Sequence, residues 1–133
     1  MDKNLQDWLD KYYPISASKL AKASDIDCVQ HSLNKWEGAR DAEQYDLTYR
    51  QRGVVSKDKR FQFDFGCDTC SLCQKYYRYD CSNEKGISCP IVRYQGKRCD
   101  GYSESAYDLS YNDPTPMIEL LQKTLEFVKK ESI

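Results

Sequence analysis

The sequence has one histidine, His31, among 133 residues, no continuous apolar run of 18 residues, no internal repeat and no low-complexity tract. Each absence removes a class of protein. Without a long apolar run there is no segment of the length that crosses a bilayer as a helix. A single imidazole leaves little material for a catalytic zinc shell, which draws on histidine, carboxylate and water. The amino-terminal stretch MDKNLQDWLDKYY carries a charge every few residues and lacks the apolar core of a secretory signal, so the chain is expected to stay in the reducing cytoplasm. A net charge of -1 supplies no global field for nucleic acid or for a membrane surface. The length fits one domain.

What the sequence holds in excess is cysteine. Six of its seven cysteines, Cys67, Cys70, Cys73, Cys81, Cys89 and Cys99, fall within 33 residues. In a secreted domain such spacing would be read as a disulfide framework, whereas in a reducing compartment clustered thiolates persist mainly when a soft or borderline cation neutralises them. An odd number of cysteines also rules out complete pairing within one chain. A structural Zn2+ is the expected cofactor. Cys70 and Cys73 form a C-x2-C knuckle suited to presenting two thiolates. The second pair comes from Cys81, Cys89 and Cys99; Cys81 with Cys89 is favoured, because Pro90 fixes the chain after Cys89. Cys99 and Cys67 are the alternates. An iron-sulfur cluster is the competing metal reading, since C-x2-C with a later Cys-Pro is related to ferredoxin spacing but falls short of the full run.

Apolar periodicity gives a mainly α single domain with a small irregular or β module around the cysteines and helices at both ends. Residues 1–60 form a helical part, residues 61–102 the cysteine-rich zinc module, and residues 113–131 a C-terminal helix. Leu5, Trp8, Leu9 and Tyr12 mark a first helix over residues 3–12, which Pro14 ends. A helical turn is expected over residues 16–23, then a longer helix over residues 24–41, capped by Ser24 or Asp25, with Ile26, Val29, Leu33 and Trp36 on its core face. Cys28, His31, Lys35 and Gly38 form a second stripe more than 100° away. Its partner is solvent, the cysteine module or another molecule.

Residues 44–60 lose the pattern and read as an exposed loop, while Phe61, Phe63 and Phe65 alternate with Gln62 and Asp64 as a short strand would. Residues 91–94 with Gln95-Gly96 suggest a second strand and turn. Residues 101–112 read as irregular but packed. Asp113-Pro114-Thr115-Pro116 opens the last helix, whose polar arc is narrow and whose apolar face is broad.

Taken together, KYYPISASKL, HSLNKWEGAR, CSLC, CPIVRYQGKRC and PMIELLQKTLEFV resemble segments of a loose family of small cysteine-rich proteins encoded by tailed phages and prophages, most without an assigned function. The resemblance implies a virus-encoded accessory protein in the host cytoplasm, with a zinc knuckle at Cys70, Cys73, Cys81 and Cys89 and a further cysteine at Cys99. The seven-residue spacer between Cys81 and Cys89 is longer than that pattern expects.

An enzyme is not expected. Four cysteines make a closed zinc site, and a Cys28–His31 pair three residues apart on a helix is poorly placed for nucleophilic attack. The expected activity is binding, to a host or phage protein first, with eleven tyrosines and two tryptophans available as anchors. Nucleic acid or a nucleotide is the alternative, because the cysteine-rich segment alternates cations with aromatics and holds six basic against three acidic residues. The expected binding residues are His31, Lys35, Tyr76, Tyr77, Arg78, Arg93, Tyr94 and Arg98. A homo-oligomer is compatible with the same aromatic surface, and no membrane partner is expected.

Overall fold

Asp2 opens the first helix, α1 (Lys3–Tyr12), by accepting the Asn4 N–H on its carboxylate at 2.8 Å. The computed structural model describes residues 2–76, 81–83 and 85–132. Leu5, Trp8 and Tyr12 are buried along one side of α1. After Pro14 a 3₁₀ turn (Ala17–Leu20) leads to α2 (Asp25–Arg40), which Ser24 caps by accepting the Asp27 N–H at 3.1 Å. A cap of this kind contributes about 1 kcal/mol.

The second stripe of α2 is covered from within. Cys28, His31, Lys35 and Gly38 are all buried alongside Val29, Leu33 and Trp36. Gly38 is where α1 crosses: the Trp8 indole N–H donates to the Gly38 carbonyl at 2.8 Å, and a Cβ at this position would sit 2.6 Å from Tyr12 Cγ. The helix is therefore a central spine with neighbours on both faces, which explains why its sequence is only weakly amphipathic.

Residues 44–60 are not the loop that their polarity suggests. They contain β1 (Leu47–Tyr49) and β2 (Gly53–Ser56), and β3 (Gln62–Asp64) completes a three-stranded antiparallel sheet in the order β1-β2-β3. Leu47 and Val54 are fully buried beneath the surrounding charges. The β1–β2 turn hides itself because Gln51 and Arg52 occupy its two central positions with φ of 51° and 57°, where Asn-Gly would be the usual signal. Tertiary bonds hold them there. Gln51 N–H donates to Asn112 Oδ1 at 3.1 Å and Arg52 N–H to the Tyr111 carbonyl at 2.9 Å, while the Arg52 guanidinium lies 4.7 Å from the Tyr107 ring centre and 4.9 Å from that of Tyr111.

The phenylalanine alternation does mark a strand. Phe65, just past β3, is 1 % exposed and touches Trp36 edge-on at 4.8 Å and Trp8 at 6.0 Å between ring centres. Burying a side chain of this size contributes roughly 1.5–3 kcal/mol.

Beyond the sheet the chain turns into short helices. A 3₁₀ turn (Cys67–Thr69) precedes α3 (Ser71–Lys75), and α4 (Pro90–Gln95) stands where a second strand was expected. Pro90 occupies the first turn of α4 and Gly96 ends it at φ 78°, so the glycine read as part of a turn after a strand serves as the stop of a helix. Among the described residues of 61–102, the β content is thus β3 and an isolated bridge between Ser82 and Ser88. Within residues 101–112, α5 (Ala106–Leu109) begins at Ser105, whose hydroxyl accepts the Asp108 N–H at 3.2 Å. Finally α6 (Thr115–Glu131) lies along α2 with Met117, Ile118, Leu121, Leu125 and Val128 inward and its polar arc outward.

The chain is one mainly helical domain with helices at both ends and a small antiparallel sheet in the middle. Among the described residues, no helix is long and apolar enough to cross a membrane.

Candidate metal centre

Thr69 fixes the segment that carries the first three clustered cysteines. Its hydroxyl donates to the Asp64 carbonyl at 2.9 Å and accepts the Gly66 N–H at 3.1 Å. Its own carbonyl accepts from the Lys35 ammonium at 2.9 Å. Two residues on, Ser71 Oγ donates to the Cys28 carbonyl at 2.7 Å, which docks the start of α3 on α2. Cys70 and Cys73 are thereby held at the amino end of α3, against the central helix.

The second group arrives from a separate loop. Cys89 N–H donates to the Cys81 carbonyl at 2.7 Å, and Cys81 itself has φ 58°, a left-handed conformation that costs a non-glycine residue about 1–2 kcal/mol. Cys99 follows α4, and its carbonyl accepts the Tyr107 N–H at 2.9 Å. All six clustered cysteines consequently line one cavity of about 80 Å³. Leu72, Tyr76, Ile91 and Val92 supply its apolar wall. Arg98 and Asp100, an ion pair at 3.1 Å, complete the lining.

Every cysteine is a free thiol. Cys70 and Cys67 are the neighbouring thiols that act on Cys73. The bond from Cys73, helped by the Lys35 ammonium and opposed by burial, holds the Cys70 thiol well below its ordinary pKa; the same bond and burial push Cys73 up. Burial raises Cys81 and Cys99 and pushes Cys89 up to about 12. A bound cation reverses this trend, because coordination deprotonates thiols outright. Among the described residues, no group of three or more His, Cys, Asp or Glu side chains is already placed to hold a metal ion. The sulfurs face one space without converging on one point.

The expected binding residues divide sharply. His31 is 8 %, Lys35 1 % and Tyr76 3 % exposed, so these three are taken off the surface proposed for them. His31 Nε2 is 2.6 Å from the Ile15 carbonyl, its ring packs on Tyr13, and burial lowers its pKa. The Tyr76 hydroxyl donates to Asp25 at 2.6 Å. Arg93 is spent on internal ion pairs, with Asp25 and with Glu131 at 2.9 Å each, which tie α4 to α2 and α6. Arg98 is partly exposed at the cavity, and Tyr94 is exposed beside Phe127. Tyr77 and Arg78 lie outside the described residues.

Cys28 and His31 address different carbonyls. The Cys28 thiol donates to Leu20 at 3.2 Å, and burial pushes its pKa up to about 11. Lys35, on the second stripe of α2, lies beneath Thr69, and Ser32, which carries no local sequence signal, has its hydroxyl 3.9 Å from Cys70 Sγ. Their placement follows from the docking of α3 on α2.

A second feature lies on the outer surface. Tyr94, Lys97, Leu109, Glu119, Leu120 and Lys123 border an open groove of about 490 Å³, in which Tyr94 and Leu109 expose apolar surface. Comparison of the chain with protein-family models, with curated proteins and with solved structures finds no match.

Proposed function

We propose that this is a zinc-stabilised, non-enzymatic accessory protein that works in the host cytoplasm by binding a host protein, in keeping with the phage-like motifs of its sequence. The observation that carries the zinc reading is the convergence of three separate chain segments, bearing six cysteines, on one small cavity. Cys70, Cys73, Cys81 and Cys89 are the proposed ligands of the ion. A structural zinc contributes roughly 10–16 kcal/mol of apparent free energy at neutral pH, which suits a segment whose helices are only five and six residues long.

The surface supports binding to protein over binding to nucleic acid. Of the cation and aromatic pattern that suggested nucleic acid, Tyr76 is buried and Arg93 is neutralised by two carboxylates. Among the described residues, Tyr94 is outward and borders, with Leu109, a groove that carries charges of both signs at its rim.

The test has two arms. Elemental analysis of the reduced protein should find zinc and no iron. Affinity capture with the wild-type protein should retain a specific host protein that Tyr94→Glu and Leu109→Glu both lose. Binding to short RNA or DNA that weakens with salt, and no protein partner, would contradict the reading.

A further inference from the structure

We propose that the open cavity beside Arg52 binds a small zwitterion of the amino-acid class, its carboxylate held by Arg52 and its ammonium by Asp108. The proposal goes beyond the readings above and depends on neither the zinc nor the host protein.

The sequence puts an arginine where the backbone would suit glycine. Arg52 is a central residue of the β1–β2 turn at φ 57°, a conformation that glycine takes without strain. Its backbone is fixed from both sides: the N–H donates to the Tyr111 carbonyl and the carbonyl accepts from the Phe65 N–H, each at 2.9 Å. The guanidinium is fixed as well, 4.7 Å from the centre of the Tyr107 ring and 4.9 Å from that of Tyr111. Tyr107 is itself anchored, because its hydroxyl donates to the Phe65 carbonyl at 2.6 Å and its N–H to the Cys99 carbonyl at 2.9 Å. An arginine held in this way has given up its rotamer freedom before any ligand arrives, which lowers the entropic cost of binding.

What the side chain lacks is a hydrogen-bonding partner. Among the described residues the Arg52 guanidinium makes no hydrogen bond and no ion pair, and its Nε is buried without an acceptor. Contact with the aromatic rings leaves its N–H donors unspent. A half-buried guanidinium in this condition is costly unless something supplies the acceptor.

The cavity shows what that something is. Arg52 lines a space of about 570 Å³ together with Asp100, Tyr102, Ser103, Tyr107 and Asp108. Its size is that of a small-molecule site. Of the two carboxylates, Asp100 is engaged by Arg98 at 3.1 Å. Asp108 is exposed, and among the described residues its carboxylate has no hydrogen bond or ion pair. One unpaired cation and one unpaired anion therefore face the same space without joining each other, and the ligand that satisfies both carries both charges. A guanidinium matches a planar carboxylate through paired N–H donors, while the Asp108 carboxylate accepts from an ammonium. A phosphate monoester would satisfy Arg52 but set its negative charge against Asp108, and a simple amine would do the reverse.

The experiment titrates the full chain, purified in reductant, with each of the standard amino acids and separately with inorganic phosphate, and reads binding by calorimetry. At least one amino acid should bind saturably with a Kd at or below about 1 mM. Its N-acetyl derivative, which has no ammonium, and its amide, which has no carboxylate, should each bind at least about tenfold more weakly. Asp108→Asn and Arg52→Lys should each weaken the parent amino acid by about the same factor, the second because lysine keeps the charge but not the paired donors. Should the Arg52 variant fail to fold, Asp108→Asn and the two derivatives decide the matter. No binding of any amino acid, derivatives that bind as well as the parent, or tighter binding of inorganic phosphate would overturn the proposal. Failure to find zinc or a host protein would leave it standing.

Discussion

The Lys35 ammonium is buried beneath the cysteine segment, donating to the Thr69 carbonyl at 2.9 Å and to Thr69 Oγ1 at 3.3 Å, immediately before Cys70 in the chain. It also lies 5.1 Å from the centre of the Phe65 ring and 5.9 Å from that of Trp36. Burial lowers the Lys35 pKa, and the neighbouring Cys70, Cys73, Cys99 and Cys67 oppose that shift by favouring the charged form. Lysine thus links the helical core to the chemistry of the cysteines.

Lys35→Met keeps most of the aliphatic volume and removes the charge. The variant should be less stable by about 1.5–3 kcal/mol, the range for hydrogen bonds from charged groups, and, on the zinc reading proposed above, should release the ion to a chelator sooner. Denaturant unfolding and chelator competition measure the two effects. Unchanged stability together with unchanged metal retention would remove Lys35 from the site.

Gly38→Ala tests the packing of α1 on α2. The added methyl would meet Tyr12 Cγ at 2.6 Å and Trp8 Cζ2 at 2.7 Å, distances that force the helices apart. Overpacking of this kind costs typically 1–3 kcal/mol, so denaturant unfolding should show a loss of about that size although alanine is the better helix former. A gain in stability would mean that the crossing is looser than described.

Asp25 should set part of the acid limit of stability. Burial alone would raise its carboxyl pKa, but hydrogen bonds from Tyr76, Lys75 and Arg93 prevail and hold it below the ordinary 3.8. As pH falls the unfolded chain takes up the proton first. The stabilisation is therefore complete above the unfolded value and drains away as pH drops through the folded one. Asp25→Asn should cost about 1–3 kcal/mol at neutral pH, moderated by partial exposure, and its difference from wild type should shrink as the pH falls below the ordinary 3.8. A difference constant across that range would show that the carboxylate charge is not what matters.

The β1–β2 turn offers a substitution expected to stabilise. Gln51 is exposed with φ 51°, so Gln51→Gly removes left-handed strain and should gain up to about 1 kcal/mol. Arg52→Gly relieves similar strain at φ 57° but loses the packing on Tyr107 and Tyr111, and should be destabilising. Thermal melts of the two variants should move in opposite directions.

Where local pattern and tertiary structure agree, the sequence was a good guide. Leu5, Trp8 and Tyr12, the Ser24 cap and the Pro-rich start of the last helix each led to an element observed at that place. The pattern misleads where tertiary contacts override local preference. Gln51 and Arg52 are forced into a turn by Asn112 and Tyr111, so no Asn-Gly announces the hairpin. Pro90 and Gly96 bound a single helical turn and a half, too short for periodicity to separate from a strand. His31 and Lys35 carry polar atoms on a stripe that sequence alone leaves between solvent, the cysteine module and a partner; burial resolves it inward. The gathering of six cysteines on one cavity was legible only as a cluster, because spacing along the chain does not say which residues the tertiary fold brings to one space.

The central claim is that these cysteines form a metal centre on which the fold depends. Thermal unfolding of the fully reduced protein, with and without a strong zinc chelator, tests it directly. The account predicts that chelation releases zinc and lowers the melting temperature by well over about 10 °C, with recovery when zinc is restored. An unchanged melting temperature in reduced protein that carries no metal would contradict it.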